Sequence, residues 1–508
     1  MPSCPRLRSR LNPMAPLAAP TTVLDRLSWY RDRQGWLGPV VSAILLAFAF
    51  EGLWPLLFLA LVPWLLSLRE TTPRQAWNRG YGFGLLFSLT QLWWLGDLAY
   101  KWTGSAVLGI VPWLLAAMLS AVYYGLLGRL VRSCYGLNAL WAIPVVWAGM
   151  EVFRSYIPVF AFPWALVAEP LVGTPVVCLA WYGTIYLASA FVLAVNLAFL
   201  WPRHRWRYAA LLLGSAFALW QVWVLNARAE VQTKTVKRLR FAVGQPAVDM
   251  AFDPAAGLKL GPAVEELEQE AVREKVDALI LPEGIAQGGA SIPPQTPFGI
   301  PEDLALVFGG QRGAGPVHQS AFAHDKQGWT YADKTRLVIF GEFVPGRDYF
   351  PFLQNAFHLP GGDLSAGNKV GSLRVGNVQV GPLICFEALF PDLAWQQARA
   401  GAKMLAVMSI DDWFALPARE RLANASRWRA VEAGLPLYRA GSLGRSMIVN
   451  ADGWVVAQAP YGERRLVTGS ATGRGTFPLV WLFPLVAAGS LIAVPLWARN
   501  KAPKTAEV

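Results

Sequence analysis

The sequence predicts a multi-pass α-helical membrane bundle of about eight spans, with an α/β domain inserted before the last span. Composition is the first reason, because 54% of the residues are hydrophobic and 15% are charged, whereas average soluble domains carry about 25% charged residues. Distribution is the second reason. Long apolar runs fill residues 37–226 and 477–497, while residues 228–475 look like an ordinary soluble domain. A basic segment at 1–36 and a tail at 498–508 flank these regions.

The apolar runs are divided into helices by the thickness of a membrane. A hydrocarbon core about 30 Å thick needs about 20 helical residues to cross it. The predicted spans lie at 37–51, 53–68, 81–100, 105–128, 135–153, 174–200, 208–226 and 477–497. The first two are short and could instead form one re-entrant hairpin. No small-residue cleavage site follows a short apolar stretch near the N-terminus, so no cleavable signal peptide is expected.

Basic residues alternate from loop to loop along the chain. Arginine clusters follow the second, fourth and sixth predicted spans, at 69–79, 129–132 and 203–207. Because cytoplasmic loops carry an excess of Lys and Arg, both termini are expected in the cytoplasm and residues 228–475 outside it. The net charge of +12 is then mostly a topology signal, and the sequence shows no nucleic-acid-binding module.

The inserted domain contains a single cysteine, Cys385. The other cysteines are Cys4 in the N-terminal segment and Cys134 and Cys178 at membrane spans or their edges. A disulfide within the domain is therefore impossible, and an unpaired thiol in an oxidising compartment is a candidate reactive group. Taken alone, Cys385 could equally be buried filler.

Apolar runs of strand length recur through the domain, with helix-like stretches at 258–275 and 391–402 between them. The runs lie at 238–245, 276–283, 335–343, 373–387, 404–410 and 446–456. Such a mixture of strands and helices is typical of a layered α/β fold.

Three ionisable residues stand at or near the ends of these predicted strands. Glu283 ends the run VDALILPE, Lys334 opens the run TRLVIFGEF, and Cys385 ends a run before a turn and a helix. Active-site groups commonly lie at the carboxyl ends of strands, and a strand–turn–helix exposes a nucleophile beside backbone N–H donors. A strand-end Glu or Lys alone is usually a solvated terminus, so the combination carries the hypothesis.

The motifs around these residues resemble the nitrilase superfamily. They are LPE at 281–283, K-x-x-L-V-x-F-G-E at 334–342 and ICFE at 384–387. In the membrane half, VVWAGMEVFR at 145–154 and AFPW at 161–164 are similar to the apolipoprotein N-acyltransferases of that superfamily. The resemblance implies an αββα sandwich for the inserted domain. It also implies a bacterial inner-membrane protein with this domain on the periplasmic side.

Three positions depart from the family pattern. Ile339 stands where the family has proline, Ile410 stands where it has asparagine in the segment SIDDWFA, and the segment at 442–444 reads SLG. These positions fall in loops that shape the site, so they bear on acceptor specificity more than on thiol chemistry.

The resemblance implies a Glu–Lys–Cys triad. Cys385 would be the nucleophile, Glu283 the base that takes its proton, and Lys334 the cation that stabilises the oxyanion. Glu342 and Glu387 would orient Lys334 and tune the base, their alternative being solvated strand-end carboxylates.

A cysteine–histidine pair is the commoner way to activate a thiol. The histidines of the domain, His318, His324 and His358, lie in loop-like sequence, and none matches a cysteine-protease signature. A glutamate base therefore fits the sequence better.

The implied reaction is ping-pong acyl transfer without metal or cofactor, catalysed by a protein expected to be a monomer. The thiol would attack a phospholipid acyl ester, and the amine of a diacylglyceryl-cysteine at a lipoprotein N-terminus would then take the acyl chain. Tyr349, Phe352 and Phe357 are lid candidates in an aromatic loop that could equally be ordinary packing. Trp413 and Phe414 are further candidates for acyl-chain contacts.

Two other functions stay open on the sequence. One is a membrane-tethered nitrilase-type amidase or hydrolase, in which water resolves the acyl-enzyme. The other is a transporter or scaffold with a catalytically silent domain. Transporters tend to have internal repeats and intramembrane charges. This sequence shows no repeat, and Asp97, Glu151 and Arg154 lie near predicted span ends.

Overall fold

The computed structural model describes residues 35–158, 160–200, 212, 214–220, 222–223, 239–286, 294–347, 349 and 362–501. The lid candidates Phe352 and Phe357, His358 and much of the predicted span 208–226 lie outside the described residues. Within these ranges the chain forms a helical half followed by an α/β half.

The described helices of the first half follow the predicted apolar runs, with some boundaries moved. They are α1 (Leu37–Phe50), α2 (Leu57–Ala60), α3 (Val62–Ser67), α4 (Pro73–Gln91), α5 (Trp93–Thr103), α6 (Ala106–Gly136), α7 (Ile143–Tyr156) and α8 (Leu179–Leu200). Thr72 caps α4 in a capping box with Gln75, which fixes where that helix begins. The predicted span 81–100 is divided between α4 and α5 at Leu92, whose backbone is not helical.

Three described helices are long and apolar enough to cross a membrane. They are Ala106–Gly136, Pro175–Leu200 and Leu482–Lys501, the last of which we call α12. The 14 residues of α1 extend only about 21 Å as a helix, which is shorter than a hydrocarbon core of about 30 Å. The count of eight spans therefore stays a prediction. Gly149 of α7 lets α12 approach closely, since an added Cβ there would overlap the carbonyl oxygen of Ala487.

The α/β half contains twelve described strands in two sheets. They are β1 (Phe241–Gln245), β2 (Ala278–Ile280), β3 (Ala305–Arg312), β4 (His318–Asp325), β5 (Gly328–Asp333), β6 (Leu373–Val375), β7 (Val378–Ile384), β8 (Met404–Ser409), β9 (Leu437–Gly441), β10 (Met447–Val449), β11 (Val455–Gln458) and β12 (Arg465–Thr468). The first sheet has the order β12-β1-β2-β3-β4-β5, and the second has the order β11-β10-β9-β8-β7-β6.

The two sheets pack face to face and helices cover their outer faces. β1 lies on β9 and β4 lies on β6, and Val243, Val307 and Val407 belong to one buried apolar cluster between the sheets. Helix α9 (Ala256–Arg273) covers the first sheet, while α10 (Pro391–Arg399) and α11 (Leu416–Ala433) cover the second. The predicted α/β domain is therefore confirmed, with helix–sheet–sheet–helix layers.

Two features of the sequence prediction are wrong. The run 335–343 does not form a strand, because the backbone N–H groups of Thr335 and Arg336 bind the carboxylate of Glu387 rather than a neighbouring strand. His318 and His324 lie in β4 rather than in loops. Glu387 is distant in sequence from the run 335–343, so local composition could not reveal that partner, whereas β4 pairs with its sequence neighbours β3 and β5.

A break near the start of α8 connects the two halves. Thr184 has a positive φ of 61°, so the helical hydrogen bonds stop there. The backbone N–H of Ile185 donates instead to Oε1 of Glu432 in α11, at 2.8 Å. Arg429 binds the same carboxylate, and its NH1 donates to the carbonyl oxygen of Leu389 at 2.5 Å.

Candidate active site

The structure brings Glu283, Lys334 and Cys385 together where strands of the two sheets end. Glu283 follows β2, Lys334 follows β5, and Cys385 follows β7. Their side chains are buried, with relative exposures of 5%, 1% and 6%. Nζ of Lys334 lies 3.6 Å from Oε1 of Glu283, and the carboxyl group of Glu283 lies beside the thiol of Cys385.

Cys385 sits on a sharp turn between β7 and α10. Its φ is 51°, which a side chain with a Cβ rarely adopts and which costs about 1–3 kcal/mol. The residue opens a 3₁₀ turn, Cys385–Leu389, and Pro391 at the first position of α10 favours the start of that helix. Oε2 of Glu387 accepts the N–H of Ile384 at 2.9 Å, which fixes the residue before the turn. This strained bend directs the sulfur toward the ends of the first sheet.

Lys334 lies between two carboxylates. Oε1 of Glu342 is 2.7 Å from its Nζ, while Oε2 of Glu342 accepts the N–H of Val338 at 2.8 Å. Burial acts to lower the pKa of Lys334, but the charges of Glu342 and Glu283 outweigh it and raise that pKa. The ammonium therefore stays protonated and fixed inside the site.

Glu283 is buried, and its carboxyl group can take up a proton. Burial raises its pKa, and the charge of Lys334 opposes that effect. The backbone N–H of Ile410 also interacts with the carboxylate of Glu283. Ile410 is one of the departures from the family pattern, and this interaction uses its backbone and not its side chain. Gly309 permits this arrangement, because a Cβ there would lie 2.7 Å from the Cα of Glu283.

The thiol of Cys385 is protonated at rest. Burial, followed by the negative charge of Glu283, raises the pKa of Cys385, whereas Lys334 and a hydrogen bond from Ser409 act to lower it. A thiolate therefore forms only when a neighbouring group accepts the proton, and the carboxyl group of Glu283 lies beside the sulfur.

Glu387 joins the segment after Lys334 to the turn of Cys385. Its Oε1 accepts from the N–H and the hydroxyl of Thr335, at 2.7 and 2.9 Å, and from the N–H of Arg336 at 3.2 Å. Burial raises the pKa of Glu387 while these donors oppose the shift. Its hydrogen bonds hold the backbone beside Lys334 rather than the ammonium group itself.

Sequence reasoning missed a buried polar group beside the sulfur. Oγ of Ser409 lies 3.4 Å from Sγ of Cys385 and 2.9 Å from Oδ1 of Asp411. Asp411 forms an ion pair of 2.6 Å with Arg439, and both side chains are fully buried. Ser409 and Asp411 belong to the segment SIDDWFA, so a signal existed there. Arg439 lies inside β9, a strand that the sequence did not indicate.

The next carboxylate, Asp412, has neutral partners. It accepts from the hydroxyl of Ser442 and the N–H of Met250, both at 2.7 Å. Burial raises its pKa to about 7, against the effect of these hydrogen bonds.

The aromatic residues predicted to bind an acyl chain or to form a lid lie in different parts of the structure. Trp413 stacks on Trp102 of α5, with ring centroids 5.4 Å apart and planes 13° apart. Phe414 meets Trp94 of the same helix edge to face at 5.1 Å. Tyr349 is 84% exposed. The roles in acyl-chain binding and in a lid stay predictions.

The segment AFPW reaches the nucleophile turn from the membrane half. Phe162 stacks on Phe386, the residue after Cys385, with centroids 6.2 Å apart and planes 20° apart. The turn that carries Cys385 is thus packed against an aromatic residue of the helical half. In the described part of the chain, no three His, Cys, Asp or Glu side chains cluster in a way that could hold a metal ion.

Comparison with known proteins agrees with this architecture. Residues 42–198 match the family model of the apolipoprotein N-acyltransferase N-terminal domain, and residues 314–472 match that of carbon-nitrogen hydrolases. The apolipoprotein N-acyltransferase of Geobacter metallireducens is 26% identical over 92% of this chain and 96% of its own. The chain is therefore similar to apolipoprotein N-acyltransferases over most of its length.

Other apolipoprotein N-acyltransferases match at similar levels. The enzyme of Pseudomonas putida is 28% identical over 86% of this chain and 91% of its own. Among solved structures, an amidase from Nesterenkonia sp. matches 49% of this chain and 95% of its own, at 18% identity and a TM-score of 0.33.

Proposed function

We propose that this protein transfers an acyl chain from a phospholipid, through a thioester on Cys385, to the N-terminal amine of a diacylglyceryl-cysteine lipoprotein. One observation carries the mechanism. The buried carboxylate of Glu283 lies beside the thiol of Cys385, and Nζ of Lys334 lies 3.6 Å from that carboxylate. The relatives named apolipoprotein N-acyltransferase, which match most of the chain, support the substrates.

In the first half-reaction, Sγ of Cys385 attacks the carbonyl carbon of the phospholipid ester while Glu283 takes the thiol proton. The carbonyl oxygen becomes an oxyanion, which the ammonium of Lys334 stabilises. The ester C–O bond then breaks, and Glu283 returns the proton to the departing oxygen. A lysophospholipid leaves and the acyl chain stays on the sulfur.

In the second half-reaction, the lipoprotein amine attacks the thioester carbon. Glu283 takes a proton from the nitrogen, and Lys334 again faces the oxyanion. Breaking the C–S bond forms the amide and a thiolate, which recovers its proton from Glu283. Glu342 positions Lys334 directly through its 2.7 Å contact, whereas Glu387 positions it through the backbone of Thr335.

The membrane half gives access to lipid substrates. Both substrates are anchored in a bilayer by acyl chains, so a soluble pocket would not receive them. We assign residues 37–226 and 477–497 to the bilayer, and residues 228–475 to the catalytic domain outside the cytoplasm. Trp413 and Phe414 then line the approach of an acyl chain.

The topology has its own test. A reporter fused near residue 300 should be active outside the cytoplasm, because arginine clusters keep alternate loops inside. A reporter fused after residue 501 should be active inside. A cytoplasmic signal at residue 300 would contradict the assignment of residues 228–475 to the outside of the cytoplasm.

Intact-mass analysis tests the chemistry. Phospholipid without acceptor should leave one hydroxylamine-sensitive acyl group on Cys385 and release lysophospholipid. A diacylated lipopeptide should discharge the label onto its amine, whereas an amine-free analogue should not. Cys385→Ser should lose turnover, because an alcohol is poorly activated by a carboxylate. Equally fast discharge into water would support the hydrolase alternative, and failure to form an adduct on Cys385 would contradict the enzymatic proposal.

A further inference from the structure

Ser409 lies beside the reacting sulfur at the end of β8, next to the strand that carries Cys385. Its side chain is fully buried. Its Oγ has two acceptors within reach, namely Sγ of Cys385 at 3.4 Å and Oδ1 of Asp411 at 2.9 Å. A hydroxyl carries one proton, so it donates to one of the two at a time.

In the resting state the hydroxyl of Ser409 donates its hydrogen bond to Asp411. The thiol of Cys385 is then neutral and is a weak acceptor, whereas the carboxylate of Asp411 forms an ion pair with Arg439. Arg439 holds that charge in place at 2.6 Å, and both members of the pair are fully buried. Asp411 therefore has a strong second partner and does not depend on Ser409.

Ionisation of the thiol reverses this preference. Once Glu283 has taken the proton, the sulfur carries a full negative charge 3.4 Å from Oγ. Hydrogen bonds to charged acceptors are about twice as strong as neutral ones. A rotation of the hydroxyl about its Cβ–Oγ bond then moves the proton toward Sγ without moving any heavy atom.

We propose that Ser409 is a further catalytic residue, whose hydroxyl turns from Asp411 to Sγ of Cys385 whenever the thiolate forms. The inference rests on the proposed function, since both half-reactions pass through sulfur with a developing negative charge. Ser409 stabilises that charge when the thiol attacks and again when the thiolate leaves. Removing the hydroxyl should therefore slow acylation and discharge by the same factor.

The test compares two buried serines. Ser409→Ala and Ser409→Gly remove the hydroxyl beside the sulfur. Ser442→Ala is the matched control, because Ser442 is equally buried and its hydroxyl donates to Asp412 at 2.7 Å rather than to sulfur. In every variant the charged groups around the sulfur, Glu283, Lys334 and Asp411, are retained.

The measurement is the pH dependence of iodoacetamide alkylation at Cys385, followed by peptide mass in purified protein without phospholipid. Both Ser409 variants should shift the profile to higher pH, with alkylation near neutral pH about tenfold to a hundredfold slower. Ser442→Ala should keep the wild-type profile. The glycine variant also lacks the hydroxyl, so it carries the test if the alanine variant folds poorly.

Two outcomes would overturn the proposal. One is an unchanged alkylation profile in folded Ser409 variants, and the other is an equal shift in Ser442→Ala. The alkylation profile does not require an acyl donor. Absence of an acyl adduct on the wild-type enzyme would therefore contradict the proposed function separately from this result.

Discussion

Glu283 and Lys334 extend from strand ends of the first sheet, whereas Cys385 and Ser409 extend from strand ends of the second. The first sheet supplies the charged side chains of the site, with more carboxylates than ammonium groups. With Glu342, it places two carboxylates around one ammonium, at 3.6 and 2.7 Å. The second sheet supplies two uncharged groups, the thiol of Cys385 and the hydroxyl of Ser409.

The charges of the second sheet are neutralised beneath the site. Asp411 is paired with Arg439, and the carboxylate of the neighbouring Asp412 accepts from the neutral donors Ser442 and Met250. The two sheets therefore have different roles. Substitutions in the first should change the reaction more than the stability, and substitutions beneath the second should do the reverse.

The largest expected effect is at the first sheet. Glu283→Gln should slow acylation about 10²–10⁴-fold, because the amide cannot accept the thiol proton. Lys334→Met should slow it about 10²–10³-fold, because an oxyanion donor is lost. The glutamine variant should keep its melting temperature within a few degrees, since it resembles protonated Glu283 in shape. Near-normal adduct formation in either variant would show that the role assigned to that residue is wrong.

The second prediction concerns the ion pair beneath the other sheet. Arg439→Met should lower the free energy of unfolding by about 3–5 kcal/mol, because it leaves Asp411 buried without a counter-charge. Thermal unfolding in detergent should detect a drop of about 10 °C. The double variant Arg439→Met with Asp411→Leu should recover much of the loss. A single variant as stable as the wild type would remove the distinction between the two sheets.

The smallest effect is the pH dependence of Asp412. Because burial raises the pKa of Asp412 from 3.8 to about 7, the folded protein binds a proton that the unfolded chain releases at lower pH. The stabilisation is complete below about pH 4 and is lost as the pH rises through about 7. Between pH 5.5 and pH 8 the change is about 2 kcal/mol.

Asp412→Asn should flatten this pH dependence. Its amide oxygen can accept the N–H of Met250 while its NH₂ donates to Ser442, as the protonated acid would. Melting temperatures at pH 5.5 and pH 8 should differ less in Asp412→Asn than in the wild type. An unchanged difference would show that another group titrates.

The sequence predicted the site better than it predicted the chain around it. Cys385 was placed correctly at a strand end before a turn, since apolar runs and Pro391 are local signals. Lys334 was placed at the start of a strand that does not form. There the β-branched pattern of TRLVIF competes with Glu387, whose hydrogen bonds to that segment span 52 residues of sequence. Local propensity contains no information on such a partner.

Tertiary partners explain the other differences. Trp413 was a candidate for acyl-chain contact, and its described stacking partner Trp102 lies in the membrane half. The contacts of Ser409 and Arg439 near Cys385 depend on the pairing of β7 with β8 and of β8 with β9. Ile410 contacts Glu283 through its backbone, so the departure from the family pattern at this position does not remove that contact.

The break in α8 bears on whether the catalytic half can be separated from the rest. Glu432 is 1% exposed, and its described partners include the N–H of Ile185 in the helical half. Excising residues 239–475 would remove that donor and leave an acidic group, together with the inner face of α11, at a new surface. Arg429, which binds the same carboxylate, also holds Leu389 at the end of the nucleophile turn. A truncated domain should therefore lose order first at its nucleophile, and transplanting it onto another membrane anchor would require a helix with the same unpaired N–H.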